Sequence, residues 1–242
     1  MSTELSQRLD AVPFLSCLDA EALREVEKHC RWRRCRAGEQ ILDKDSSDSD
    51  VYFVVEGAVQ IVNYSLTGRE IAFAKLEAGS YFGELSAIDG APRSASVVAA
   101  RESLLAAMSG SLFTRLVVSE PEMVRHLLLR LAGIVRVCNE RIMDLSTLGA
   151  VPRVYVEILR LAEDNRPKPG TDEDWRVSPM PTQKAIAGLA STTRETVARS
   201  LSQLVSGGII ERRGKTVLIR DFSRLERLAG ALDVAWAGDL PR

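Results

Sequence analysis

Phe82-Gly83-Glu84-Leu85-Ser86-Ala87-Ile88-Asp89-Gly90-Ala91-Pro92-Arg93-Ser94-Ala95-Ser96 lies between two strand-like runs and decides how the first half of this chain is read. Gly83 permits close backbone approach to a ligand, and a short helix starting near it would aim free amides at an anion. Arg93 offers a planar fork of donors suited to phosphate oxygens, Ser94 adds a hydroxyl, and Glu84 accepts from sugar hydroxyls. Together these groups describe a site for a phosphate and a ribose. The same residues would equally form a tight barrel turn in which Glu84 and Arg93 make an internal salt bridge.

Upstream, short β-branched or aromatic runs (Val51 to Val55, Val59 to Val62, Ile71 to Phe73) are interrupted by Gly57, Gly68 and Gly79. Strand pairs punctuated in this way predict an antiparallel barrel or sandwich from Gly38 to about Ala107. Residues 1 to 30 place Leu15, Leu18, Leu23 and Val26 at helical spacing, which predicts one or two short helices.

Downstream, Ser119-Glu120-Pro121-Glu122 has the spacing of a capping box, so a long helix is expected to start at residue 119. Along it Val124, Leu128, Leu131, Val135, Cys138, Ile142 and Leu145 form an apolar seam of alternating four- and three-residue steps. A stripe that narrow buries itself best against a copy of itself, with packing on its own barrel as the competing use. Gly149 to Pro152 breaks the helix and suits a restart. The expected divisions are therefore 1–118 for the β-rich domain, 119–148 for the long helix and 149–242 for a C-terminal domain. That last part reads as a helix, a loop over Arg166 to Arg176, two short helices, a hairpin, and an amphipathic helix around Leu225 to Val234.

The two short helices, Thr182 to Ala190 and Thr193 to Leu204, are joined by Ser191-Thr192 in the proportions of a helix-turn-helix. At about 100° per residue, Arg194, Glu195 and Arg199 fall within about 140° of one another, while Val197, Leu201 and Leu204 occupy the opposite side. Arginine matches guanine O6 and N7 in the major groove, and glutamate accepts from cytosine N4. Glu195 and Arg199, four residues apart, would also make an ordinary solvated salt bridge. Arg212-Arg213-Gly214-Lys215 then forms the cationic tip of a hairpin suited to a phosphate contact beside the groove.

With these residues in view, the chain resembles the cAMP receptor protein and fumarate-nitrate regulator (Crp/Fnr) superfamily of transcription regulators, in its cyclic nucleotide-binding branch. The 82–96 segment is similar to that family's phosphate-binding cassette, and Thr193-Arg194-Glu195-Thr196-Val197-x-Arg199 to its winged helix-turn-helix. The resemblance implies an α+β protein: an antiparallel β-roll, a long dimerisation helix and a C-terminal winged helix-turn-helix. It implies that Arg93 and Ser94 hold the cyclic phosphate, that Glu84 accepts from the ribose 2′-OH, and that Gly83, Leu85 and Ala95 complete the cradle. It also implies a homodimer on a palindromic operator, its half-sites roughly 34 to 36 Å apart, with RNA polymerase as a further partner. Arg194, Glu195 and Arg199 would read bases, and Thr182, Thr193 and Lys215 would hold phosphates.

Three positions depart from the family pattern. Ser191 stands where the turn usually has glycine, so a positive φ there would carry strain. Gln183 replaces a frequent arginine, which removes a cationic phosphate contact. Cys138-Asn139 stands where Thr-Ser reaches adenine in the cAMP-binding relatives; an Asn amide can present a donor or an acceptor to a base. The family prior favours cAMP as the effector, with cGMP as the alternative.

Composition bounds the remaining classes. The 242 residues are 45% hydrophobic and 27% charged, which describes a globular chain. The longest uncharged run, Ser103 to Thr114, is shorter than the roughly 18 residues a membrane helix needs. No basic-then-apolar leader opens the chain, so a cytoplasmic protein is expected. The net charge of −1 hides a basic segment, residues 181 to 220, with seven Lys or Arg against Glu195 and Glu211. Cys17, Cys30, Cys35 and Cys138 lack metal-ligand spacing, so no metal is expected, although a redox-sensing or ligand-independent family member is the rival reading. His29 and His126 fit ordinary helix positions. The chain carries no Walker loop, G-x-G-x-x-G or catalytic histidine set, so no enzyme is expected. A regulatory subunit that binds nucleotide without DNA would leave the basic helix face unused.

Overall fold

The structure, a computed structural model, describes residues 9–64, 70–163, 165–167 and 174–230. Gly68, the middle of the 166–176 loop and the tail after Gly230 lie outside the described residues. The chain divides into two compact units, Met1–Arg136 and Val137–Arg242.

The first unit opens with a 3-10 turn, Pro13–Leu15, and α1, Ala20–His29, whose N-terminal amides at Glu21 and Ala22 are capped by the Asp19 carboxylate. Among the described residues eight strands follow: β1 (Arg31–Cys35), β2 (Gln40–Leu42), β3 (Val51–Glu56), β4 (Ala58–Tyr64), β5 (Glu70–Glu77), β6 (Tyr81–Phe82), β7 (Ser96–Ala99) and β8 (Ser103–Met108). Between β6 and β7 sits α2, Glu84–Asp89. The strands pair antiparallel in two four-stranded sheets, β1-β8-β3-β6 and β2-β7-β4-β5. The expected β-roll is present.

Strand β3 shows why this sequence builds two layers. Successive side chains of a strand face opposite ways. Val51 and Phe53 enter a core shared with α1 and the helices after β8, while Tyr52 and Val54 enter the core between the sheets. A strand covered on both sides must be apolar at every position, as Val51 to Val54 is, and fully burying Phe53 stabilises by roughly 1.5–3 kcal/mol.

After β8 the chain forms α3, Gly110–Ser119, a helix the sequence reading did not predict. Ser119 is its last residue and its hydroxyl donates to the Leu116 carbonyl, so the expected capping box is not formed. The long helix, α4, instead starts with proline in its first position and spans Pro121–Thr147.

The second unit contains the C-terminal part of α4, then α5 (Ala150–Glu163), β9 (Trp175–Val177), α6 (Gln183–Leu189), α7 (Arg194–Ser206), β10 (Ile210–Arg213), β11 (Thr216–Ile219) and α8 (Phe222–Ala229). The helix break at Gly149 falls as expected, and Arg160 on α5 spans it to Asp144 on α4 at 2.7 Å. Trp175 and Arg176, expected in a loop, belong to β9, which adds a third antiparallel strand to the hairpin in the order β10-β11-β9. Ile158, Ile186, Val197, Leu201, Leu204, Val217 and Leu225 close one core beneath the two short helices. Among the described residues no helix is long and apolar enough to cross a membrane.

Candidate effector site and nucleic-acid interface

The cassette is held in shape by backbone geometry. Gly83 has φ 88°, and a Cβ there would lie 2.7 Å from the Asp50 carbonyl oxygen and 2.8 Å from Arg93 Nη1, so only glycine fits. It caps α2 at the N-terminal end, and Gly90, also left-handed, ends the helix by donating to the Ser86 carbonyl at 3.1 Å.

Arg93, 3% exposed, points into this turn. Its Nη1 donates to the Gly83 carbonyl at 2.8 Å and its Nη2 to the Asp50 carbonyl at 2.6 Å. Its Nε meets Asp48 Oδ2 at 3.3 Å, and Nη2 also donates to Asp48 Oδ1. Four of the five guanidinium donors are thereby used. Burial works to raise the Asp48 carboxyl, but hydrogen bonding and charge from Arg93 more than offset it, so the group sits below the usual carboxylate value.

Glu84, 4% exposed, does not pair with Arg93 as one reading of the sequence allowed. It faces Arg130 of α4, whose Nε lies 3.5 Å from Glu84 Oε1 and whose Nη2 donates to the Tyr81 carbonyl at 2.7 Å. The same guanidinium lies 4.2 Å from the Tyr81 ring centroid, a cation–π contact. Leu85 and Ser94 are exposed and Ala95 is half-buried. Asp48, Asp50 and Arg130 are the site residues that sequence reasoning missed; the run Asp43 to Asp50 reads only as a polar loop, and no spacing rule links it to Arg93.

Cys138 and Asn139 are exposed on α4 and belong to the second unit, whereas the cassette belongs to the first. The predicted seam splits in two. Val124 and Leu131 are partly buried against the first unit's core, while Leu128, Val135, Cys138, Ile142 and Leu145 are exposed. Cys30 and Cys35 are buried thiols; burial pushes Cys30 up to about 12 and also raises Cys35, which disfavours the thiolate needed for metal binding or rapid oxidation.

In the second unit, Thr182 and Thr193 are the N-caps of α6 and α7, accepting from the Ala185 and Thr196 amides, both at 3.2 Å. Ser191, in the turn between them, has φ 49°. Arg153 braces that turn, with Nε donating to the Ala190 carbonyl at 2.9 Å and Nη2 to the Ser191 carbonyl at 3.1 Å.

Val197, Ser200, Leu201 and Leu204 are the buried side of α7; Arg194, Glu195 and Arg199 are exposed. Among the described residues no ion pair joins Glu195 to Arg199, so the solvated bridge allowed by their spacing is not made. The Glu195 carboxyl is instead held below its usual value by its own backbone amide and the Thr193 hydroxyl. Lys215 is exposed at the hairpin turn after Gly214, and its carbonyl accepts from the Met180 amide at 2.7 Å. The exposed arginine pair on a packed helix can meet base edges, and the cationic hairpin turn of the same unit can meet phosphates.

Two family models match: a cyclic nucleotide-binding domain over residues 32–120 and a Crp-like helix-turn-helix domain over residues 153–228. The CRP-like cAMP-activated global transcriptional regulator of Mycobacterium tuberculosis is 31% identical over 194 residues, which cover 79% of this chain and 85% of that protein. The cAMP-activated global transcriptional regulator CRP of Escherichia coli is 26% identical over 192 residues, 79% of this chain and 90% of that one. Among solved structures, a CooA mutant from Carboxydothermus hydrogenoformans shares the fold at a TM-score of 0.76 and 22% identity, over 92% of this chain and 98% of that one.

Proposed function

The chain belongs to the Crp/Fnr family of transcription regulators, and from that membership we infer that it is a homodimer whose hold on a palindromic DNA operator is set by a cyclic nucleotide, cAMP in preference to cGMP. DNA binding through the helix-turn-helix, an effector-binding domain and the absence of enzymatic activity come with the family. Effector identity, symmetry and site residues are our reading.

One observation carries the effector reading: the buried Arg93 guanidinium bonds the carbonyl of Gly83, the residue immediately before the buried Glu84. A cation and a carboxylate thus flank one turn, the polarity required by a phosphate joined to a ribose hydroxyl. Ser94, exposed beside Arg93, adds a hydroxyl, and the backbone at Gly83, Leu85 and Ala95 lines the approach. Cys138 and Asn139, exposed on α4, are the groups we assign to the base.

The exposed Leu128, Val135, Cys138, Ile142 and Leu145 supply an apolar face for a second copy. Arg194, Glu195 and Arg199 read bases in each half-site, while Thr182, Thr193 and Lys215 hold phosphates, and the bound dimer meets RNA polymerase. Nucleotide favours the DNA-binding arrangement only to the extent that it binds that arrangement more tightly. The break at Gly149, spanned by the Arg160 to Asp144 ion pair, is where we place the change.

Calorimetric titration with cAMP and cGMP side by side, followed by gel shifts with and without the tighter ligand, tests this reading. Saturable binding of one nucleotide and a shift that depends on it are expected. A protein that binds neither nucleotide overturns the effector reading, and failure to shift promoter fragments under both conditions overturns the DNA reading.

A further inference from the structure

Arg93, the cation assigned to the phosphate, is already occupied. Its side chain is 2% exposed, and two of its donors are held by the Asp48 carboxylate. Asp48 itself is 44% exposed at the rim. It stands on the segment between β2 and β3, which is tied at three points to the stretch that runs from Arg93 into β7. The Asp45 amide donates to the Arg93 carbonyl at 3.0 Å, the Arg93 amide to the Ser46 carbonyl at 2.9 Å, and the Lys44 amide to Ser96 Oγ at 3.0 Å. Within this segment Asp45 has φ 67°, a left-handed conformation that a non-glycine residue adopts at a cost. The segment is therefore closed over the guanidinium and locally strained.

We propose that Asp48 is the specificity-determining residue of the effector site: a tethered carboxylate that holds the phosphate position, so that a ligand binds by exchanging its own anionic oxygens for those of Asp48 on Arg93. The proposal rests on the cyclic nucleotide reading and deepens it. An arginine fork accepts carboxylate and phosphate oxygens in the same planar geometry, which makes the two anions alternatives for one edge. A neutral nucleoside cannot make the exchange. A cyclic phosphodiester replaces one negative charge with one negative charge, and also gives Glu84 a hydroxyl, a contact that Asp48 cannot imitate. Affinity is then reduced by the fraction of molecules in which the tethered carboxylate occupies the cation.

Calorimetric titration of wild type and D48N with cAMP and with cGMP is the test, alongside carbon-detected titration of the Asp48 carboxyl in the wild-type protein. D48N, nearly isosteric and uncharged, is expected to bind about tenfold more tightly. In the wild type, saturating nucleotide is expected to return the Asp48 carboxyl toward the ordinary carboxylate value as Arg93 leaves it. Equal or weaker binding by D48N, or an Asp48 titration unmoved by saturating nucleotide, overturns the exchange while leaving nucleotide binding intact. If neither protein binds either nucleotide, the effector reading falls and the exchange falls with it. The carboxyl titration needs no variant, so it decides the matter even if D48N folds poorly.

Discussion

Arg93 and Asp48 meet across 45 residues of chain, Nε to Oδ2 at 3.3 Å with Nη2 on the second oxygen, and the pair closes the turn formed by Gly83. The arginine read from the sequence as a free phosphate donor is a structural cation as well, bonding two backbone carbonyls and one carboxylate.

Arg93→Leu is expected to abolish cAMP and cGMP binding and also to lower stability. The change strips the Gly83 and Asp50 carbonyls and Asp48 of their donor, a loss of about 1–3 kcal/mol. Calorimetry and urea unfolding measure the two effects separately. Near-native nucleotide affinity would refute the assignment of Arg93.

The Asp48 carboxyl, lowered from its reference of 3.8 in the folded chain, fixes the sign of a pH effect. In the unfolded chain it protonates at the ordinary value, so below that pH the unfolded state binds more protons. The pair's contribution is complete above about pH 4 and is lost as pH falls through the lowered folded value. Urea unfolding followed from about pH 5 down to about pH 3, through the ordinary carboxylate range, should show wild type losing stability more steeply than D48N. Parallel curves would contradict the pairing.

Ser191→Gly should raise stability by about 0.5–1 kcal/mol, because φ 49° strains a side-chain-bearing residue and not glycine. The three Arg153 donors, to the Leu148, Ala190 and Ser191 carbonyls, keep the turn in place without the serine side chain. A lower midpoint in chemical denaturation would show that the serine contributes more than its backbone costs.

Arg194→Ala should relax base preference at one position of each half-site, costing about 1–3 kcal/mol on the preferred sequence. Lys215→Ala should weaken all sequences alike and flatten the salt dependence. Gel shifts across a panel of half-site variants separate the two patterns; a uniform loss for Arg194→Ala would move that residue from base reading to backbone contact.

Much of the architecture was legible because it rests on local pattern. Val51 to Val55 and Val59 to Val62 announced strands, Gly149 to Pro152 ended a helix, and Val197, Leu201 and Leu204 marked the buried side of α7. Helix α3 escapes the sequence reading because its apolar residues, Leu112, Phe113, Leu116 and Val117, though at helical spacing, directly continue the apolar run of β8, so that strand and helix read as one stretch. Ser119 misled because Ser-x-x-Glu is the same string whether it opens a helix or closes the preceding one.

The amino-acid order alone determined which residue types cluster around Gly83, and that an apolar and a cationic face alternate at helical period on α7; both follow from spacings of a few residues. Pairing was decided only by the folded chain. Glu84 meets Arg130 and Arg93 meets Asp48, over separations of 46 and 45 residues, instead of Glu84 and Arg93 meeting each other. Charge–charge attraction falls with distance and depends on burial, so the partner of a buried ion is chosen by which segments the two sheets and α4 bring together, a quantity that no short window of sequence contains.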